Sequence, residues 1–497
     1  MALKKMKEST SSIGDIQRLD LDSSGCCNFP CNTNTTVSPE QLPLCSTALK
    51  IAMLPDIVLG KIISFLHWKE REWFTAAIPR VQHIMNSPLA WERFENDRCY
   101  AVEKLHIYFP VLVEQELNII RKYGKYFQSC TIWIHKIFET GDETDRDCHL
   151  LEAVSQNCHN LKALCLMHPP DISVSKLKSS LKNYLQPLQC LTTTCGCNLK
   201  LSLNRMFYSS IDTLRSGILS FLIYLCENKL LEHIVCLDFS HGLVLDCSSN
   251  QSVDELLQCV NLQTLKCPIQ SLNTAILINL TKKKLINLYL VNDDHTQESG
   301  FMEKHSLDWK AVQKALPEIK LAIFKVHYIF KNRAMCHEDM NPNPFLQSLI
   351  FDNLSSSISA KLLNCIADFY GATLQNLAFC SNYWEFLMHF TDLGKINESF
   401  RYLGCNCIQL ESFLSCLSLP SSALVHLVKN SRKLTTVRVY KENIRLSTAD
   451  MPEWLFIFKM GAELNNQNWD MIKKGENIFK IPNVDCRLLF ANCFNEF

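Results

Sequence analysis

Hydrophobic positions along the 497 residues fall into three regimes. Residues 1–48 are rich in Ser, Thr, Asn, Cys and Pro and carry neither helical nor strand periodicity, which predicts a disordered tail. From about Leu49 to Asn96 the period is helical. Pro55 suits the start of a helix and Asp56 its positive end. Ile57, Val58, Leu59, Ile62, Ile63, Phe65 and Leu66 then cover well over half its circumference, with Lys61 the one charge inside. A second helix is predicted from Lys69 to Ala77, with Trp73 and Phe74 as internal core. Pro79 begins a further turn containing Val81, Ile84 and Met85. Pro88 ends it, and Leu89 and Trp91 open a last helix to about Asp97. So short a segment cannot bury this much apolar surface alone. The first helix needs cover from elsewhere.

From Phe127 onward the pattern becomes apolar-x-x-apolar-x-apolar, each unit preceded by a helical stretch such as Val154–Cys158 or Leu362–Phe369. The units are Phe127-Cys130-Ile132, Leu161-Leu164-Leu166, Leu201 with Leu203, Ile234-Leu237-Phe239, Leu262-Leu265-Cys267 and Leu285-Leu288-Leu290. They continue with Leu316-Ile319-Leu321, Leu346-Leu349-Phe351, Leu374-Leu377-Phe379, Leu410-Phe413 and Leu434-Val437-Val439. With the third counted from Asn198, successive starts lie 34, 37, 36, 28, 23, 31, 30, 28, 36 and 24 residues apart. Eleven such units in a row at one loose period predict a stretched, irregular leucine-rich-repeat array. Each short strand would stack its inward side chains on its neighbours', with helices closing the other layer. The fold class is therefore α/β: an N-terminal helical module followed by a solenoid of parallel short strands and covering helices. Expected boundaries are 1–48 for the tail, 49–98 for the module, 99–440 for the array and 441–497 for a cap. Trp454–Phe458, Trp469 and Leu488–Phe490 make that last segment too apolar for a floppy tail, although part of it could instead fold back onto the array.

Composition removes several functional classes. Lys+Arg and Asp+Glu both number 50, so no general basic surface exists for nucleic acid. Lys282-Lys283-Lys284 reads as the solvated last turn of a helix. The N-terminus lacks a signal-peptide apolar region, and the longest apolar run, Ile218–Cys226, is too short to span a membrane. An intracellular protein, cytoplasmic or nuclear, is expected. The 25 cysteines include no CxxC pair. Cys165, Cys226, Cys236, Cys259, Cys267 and Cys380 sit in apolar runs and read as buried free thiols. No phosphate-cradling glycine loop or nucleophile elbow occurs, so no cofactor and no metal are expected. Cys148-His149 and Cys158-His159 are adjacent pairs whose side chains diverge, and the acidic run 142–147 lacks the pattern of a calcium loop. Surface aromatics that could contact a partner are Trp133, Tyr289, Tyr328, Tyr383, Trp384 and Tyr440.

Residues 54–91 resemble the F-box motif. The run Leu54-Pro55-Asp56-Ile57-Val58-Leu59-Gly60-Lys61-Ile62-Ile63-Ser64-Phe65-Leu66 follows the family's opening closely, and Pro88, Leu89 and Trp91 follow its close. The middle departs, with Ala77 and Val81 where the family carries Val and Trp. An F-box followed by such an array is similar to the F-box leucine-rich-repeat proteins. That resemblance implies a non-catalytic substrate receptor of a Skp–cullin–F-box ubiquitin ligase, in the ubiquitin-conjugation pathway. The Skp adaptor, and through it a cullin, would bind Leu54, Pro55, Ile57, Leu59, Ile62, Ile63 and Leu66. The array would hold the protein to be ubiquitinated. Two other readings stand beside it: a repeat scaffold whose helical module is only a cap, and an enzyme with a cysteine nucleophile.

Overall fold

The computed structural model describes residues 51, 53–95, 109–133, 144–167, 186–193, 196–202, 225–239, 258–293, 307–331, 340–352, 358–380, 393–415, 417, 419–440, 444–445 and 469–472. The predicted tail, Tyr383, Trp384 and most of the predicted cap lie outside that set. The chain divides into two compact units, Met1–Met53 and Leu54–Phe497, and every element below belongs to the second.

Helix α1 (Asp56–Phe65), α2 (Trp68–Ala77), a 3-10 helix (Pro79–Asn86) and the single turn α3 (Pro88–Trp91) form the helical module. Where the pattern predicted a helix running on to Asp97, the chain instead turns into strand β1 (Arg93–Glu95), which pairs in parallel with β2 (Ser129–Trp133). Trp91 explains the change. Its ring stacks on Tyr123 at 4.2 Å, its indole Nε1 donates to the Met85 carbonyl at 2.7 Å, and Phe94 then stacks on Phe127 at 5.0 Å. The chain is thereby turned into the first rung of the sheet.

The strands continue as β3 (Ala163–Met167), β4 (Asn198–Ser202), β5 (Ile234–Asp238), β6 (Thr264–Pro268), β7 (Asn287–Asp293), β8 (Lys325–Lys331), β9 (Leu346–Asp352) and β10 (Asn376–Phe379). β11 (Ser412–Ser415), β13 (Thr436–Tyr440) and β15 (Trp469–Ile472) complete a parallel sheet of 13 strands in which sequence neighbours are spatial neighbours. Two residues each of β12 (Leu419–Pro420) and β14 (Ile444–Arg445) pair separately. A relay of backbone hydrogen bonds stitches successive strand starts together: Gln128 N–H to Glu92 carbonyl, Lys162 to Gln128, and Asn198 to Lys162, at 2.8–3.0 Å. This is a leucine-rich-repeat solenoid, and β1 places the end of the helical module within it.

Ten of the eleven predicted units coincide with strands. The Leu316-Ile319-Leu321 unit does not: Glu318–Ile323 is a helix with Pro317 as its N-cap and Ile319 exposed, and the rung is β8. Within each strand, alternate residues point to the helical layer. Leu237, Leu265 and Leu288 share one inward level, while Tyr328, Leu349, Leu377, Phe413 and Val437 share the next. Helices Ala360–Tyr370 and Leu393–Asn406 pack there, with Phe400 meeting Phe413 edge-on at 5.8 Å. The Asn273, Asp308 and Ser359 side chains each accept a backbone N–H at a helix start. Residues 144–147 of the acidic run form the first turn of helix Thr144–Asn157 instead of a loop.

Candidate functional site: the exposed face of the first helix

Helix α1 begins at Asp56, with the Leu59 N–H donating to the Pro55 carbonyl at 3.0 Å. Successive residues advance by about 100° around a helix. On that wheel Leu54, Ile57, Val58, Lys61, Ile62 and Phe65 fall within an arc of about 140°, centred opposite the arc holding Leu59, Gly60 and Ile63. Burial follows the wheel. Leu59 and Ile63 are 0% exposed, whereas Ile57 is 72% and Phe65 76% exposed. Val58, Leu89 and Pro55 are also exposed, and Leu54, Ile62 and Leu66 are half-buried.

Two of the seven residues expected to meet an adaptor are therefore spent inside the protein. Leu59 and Ile63 face the 3-10 helix and α3, where Gly60 lets the helices approach so closely that an added Cβ would sit 3.0 Å from the Leu89 Cβ. The remaining five stay at the surface, joined by Val58, Phe65 and Leu89. Trp73, expected in the core, is 72% exposed, because α2 turns its other face inward through Trp68 and Arg71.

Arg71 organises the interior of the module. The residue is 4% exposed, and its guanidinium donates to four carbonyls: Leu66 at 2.9 Å, Ala90 at 2.6 Å, Arg93 at 3.1 Å and Ser64 at 3.4 Å. It also lies 4.6 Å from the centre of the Trp91 ring. Burial lowers its pKa from 12.5 to about 10, so it remains charged at neutral pH. One side chain thus ties the end of α1 to α3 and to β1. A lone Arg on an amphipathic helix reads as solvent-facing, so nothing in the pattern marks it. Beside it, a cleft of about 340 Å³ opens between the end of α1, the start of α2 and β1, lined by Lys61, Phe65, His67, Arg71, Arg93 and Glu95 among others.

A second polar link lies at the other end of α1. His83 Nε2 is 2.9 Å from Asp56 Oδ2, and His83 Nδ1 is 2.7 Å from the Arg80 carbonyl. With both ring nitrogens facing acceptors, the imidazolium is favoured. Its hydrogen bond to Asp56 raises the His83 pKa above 6.5, and the same bond lowers that of Asp56 below 3.8.

The other sequence candidates lie apart from this face. Tyr289 and Tyr328 are buried, not surface contacts. Cys165, Cys236, Cys259, Cys267 and Cys380 are buried free thiols as expected, while Cys226 is half-buried and donates to Gln258 Oε1 at 2.7 Å. Burial pushes the Cys259 and Cys407 thiols up to about 12, away from a nucleophilic thiolate. Cys158 is buried and its neighbour His159 exposed, so that pair diverges. Among the described residues no group of three or more His, Cys, Asp and Glu side chains is gathered as a metal ion would need, and no helix is long and apolar enough to cross a membrane.

No protein-family model and no curated protein matches this sequence. Among solved structures, the chain is similar to one from the complex of Rad7 and Elc1 in yeast, at 14% identity and a TM-score of 0.41 over 80% of this chain and 90% of that one. It is also similar to a chain of the TLR13–ssRNA13 complex, at 12% identity and a TM-score of 0.29 over 65% of this chain and 47% of that one.

Proposed function

We propose that this protein is the substrate-recognition subunit of a Skp–cullin–F-box ubiquitin ligase, its helical module docking on the Skp adaptor and its repeats holding the protein to be ubiquitinated. The observation that carries the reading is the exposed arc of α1. Leu54, Ile57, Val58, Ile62 and Phe65 form one apolar stripe, with Leu66 closing it, on a helix whose opposite side is fully packed. Burying an Ile or Phe side chain is worth about 1.5–3 kcal/mol, so leaving such a stripe in water is a standing cost that a partner removes. The stripe falls on the residues that resemble the opening of an F-box, the segment by which that family meets its adaptor. The chain itself would perform no bond chemistry. Its role is to bring a target close to catalytic subunits elsewhere in the complex.

The test is co-purification of the full chain with a Skp adaptor. Ile57→Asp with Phe65→Asp places two charges on the exposed stripe, where folding is little affected because both side chains already face water. Adaptor capture should fall at least a hundredfold while the melting profile stays unchanged. Undiminished capture by a folded double variant would overturn the docking claim and favour a repeat scaffold that uses the module as a cap.

A further inference from the structure

Trp68 forms part of the wall of the cleft beside Arg71, and its indole N–H finds no acceptor among the described residues. The residue is 3% exposed, so that donor is also shut off from bulk water. A buried donor left unpaired is destabilising. The other buried indole of the module, that of Trp91, donates to the Met85 carbonyl at 2.7 Å. The lining around Trp68 comes from three elements. Lys61 and Phe65 stand at the end of α1, Trp68 and Arg71 on α2, and Arg93 and Glu95 on β1. Arg93 pairs in register with Ser129 and Glu95 with Thr131, and both partners line the cleft too. These four have the parity opposite to Phe94 and Cys130, so they stand on the open face of the sheet, the one turned away from the helical layer. At these first rungs that face is accessible: Arg93 is exposed, and Glu95, Ser129 and Thr131 are half-buried.

We propose that this cleft receives the carboxylate side chain of an Asp or Glu carried on a partner polypeptide that lies over the first rungs of the array. Charge selects the group. Lys61, Arg71 and Arg93 stand against the carboxylates of Glu92 and Glu95, and His67 adds no negative charge, so the lining holds positive charge in excess by one. A single carboxylate cancels it. A phosphate brings about −1.5 to −2 and would meet both glutamates, which disfavours a phosphorylated ligand. An ionised carboxylate only accepts hydrogen bonds, which answers the unpaired Trp68 N–H and the fork of Arg93. Its methylene stem is matched by the apolar walls, Phe65 and Leu66. The volume of about 340 Å³ lies at the lower end of the roughly 300–1,000 Å³ usual for ligand pockets, a space for one side chain and its neighbours. Position selects a polypeptide, because the cleft opens onto the sheet face that solenoids present to extended partners. Lys61 and Phe65 also belong to the exposed arc of α1, but carboxylate binding does not depend on adaptor docking.

The test uses the full chain, labelled with nitrogen-15 at its tryptophan indoles, and no adaptor, so its failure is distinct from a failure of adaptor capture. The probe is the acetylated and amidated peptide Ala-Ala-Glu-Ala-Ala, with counterparts carrying Gln or phosphoserine in place of Glu. Trp68→Phe identifies the Trp68 indole resonance, keeps an aromatic ring in the wall and removes the donor. The Glu peptide should shift that resonance saturably, and the Gln and phosphoserine peptides should bind at least tenfold more weakly. Trp68→Phe and Arg93→Ala should each weaken the Glu peptide at least fivefold. Arg93 is exposed, so its variant keeps the fold. Should Trp68→Phe not fold, the indole spectrum of the Arg93→Ala chain against that of the unaltered chain decides. A Trp68 resonance unmoved by the Glu peptide, equal binding of the Gln peptide, tighter binding of the phosphoserine peptide or undiminished binding by Arg93→Ala would each overturn the proposal.

Discussion

Replacing Arg71 tests whether the helical module is held by one buried cation. In Arg71→Met the carbonyls of Leu66, Ala90, Arg93 and Ser64 lose their donor. A buried acceptor left unsatisfied costs about 1–3 kcal/mol. The Ala90 carbonyl bond is fully buried, whereas the other three lie at the edge of the cleft, where water can replace the donor. Taking about 3 kcal/mol for the buried acceptor and about 0.7 kcal/mol for each of the other three bonds gives a total loss of about 5 kcal/mol. Against it stands the relief of an awkward charge, since the fall of the Arg71 pKa from 12.5 to about 10 corresponds to about 3 kcal/mol of desolvation. The net destabilisation for Met is then about 2 kcal/mol. Lys keeps the buried charge but cannot reproduce a planar fork over separate carbonyls, so it loses most of the bonds without the relief. Arg71→Lys should therefore be at least as damaging as Arg71→Met. A solenoid of this length does not unfold in two states, so the measurement is native-state hydrogen exchange. The Leu59 amide, bonded to Pro55, should open about 30-fold more often in either variant, the equivalent of about 2 kcal/mol. The Leu377 amide, far along the array, should not change. A Lys variant that exchanges like the parent would refute the reasoning.

Other substitutions probe the same packing elsewhere. Gly60→Ala places a Cβ 3.0 Å from the Leu89 side chain and should cost about 1–3 kcal/mol in overpacking, partly offset by about 1 kcal/mol of helix propensity; faster exchange at Leu59 is expected, and slower exchange would contradict the close approach. Gly371→Ala meets the Asn406 carbonyl at 2.7 Å, backbone that cannot move aside, so the loss should exceed about 3 kcal/mol in native-state hydrogen exchange at the Leu374 amide and be clearly larger than for Gly60. The His83 ring should titrate above 6.5 by NMR; because its folded pKa is raised, the tie to Asp56 is present in full below pH 6.5 while Asp56 stays ionised, and it is lost as pH rises through the ring's own raised value, so a ring titrating at or below 6.5 would refute it. Asp238 and Lys266 form a buried pair at 3.2 Å; Asp238→Leu alone should cost about 3–5 kcal/mol and adding Lys266→Met should restore most of it, whereas equal losses for the single and double variants would show that the pair is uncoupled.

The strand spacing of the array was legible because each inward Leu or Phe sits beside its counterpart in the next unit, and that repetition survives irregular connections. The unit at Leu316 departs from the pattern for a local reason. Leu316-Ile319-Leu321 matches the template, yet Pro317 followed by Glu318 is a helix start, and the β-branched and aromatic run from Val326 to Phe330 offers the better strand. β1 and β15 lack the full template: Asn96 stands at its last apolar position after Trp91 and Phe94, and Asn466 at its first before Trp469 and Met471. For α1 the pattern revealed surplus apolar surface but not its direction. With seven apolar residues spread around the helix, only the placement of Gly60 against Leu89 decides that Leu59 and Ile63 turn inward. The polar anchors Arg71 and His83 had no periodic signature, because their partners are carbonyls and a carboxylate brought near by folding.

Two apolar faces of this protein differ in whether anything covers them. On α1 the stripe of Ile57 and Phe65 is apolar and open. No described element covers it, and the proposed adaptor would. On the open face of the sheet, Ile329, Ile350 and Leu414 are just as apolar and closed. In sequence the two look alike, as elements apolar on more than one side. A strand such as Val-His-Tyr-Ile-Phe in β8 reads as buried on both faces, and so does α1. Exposure separates them: the α1 stripe is open to water and the sheet face is closed.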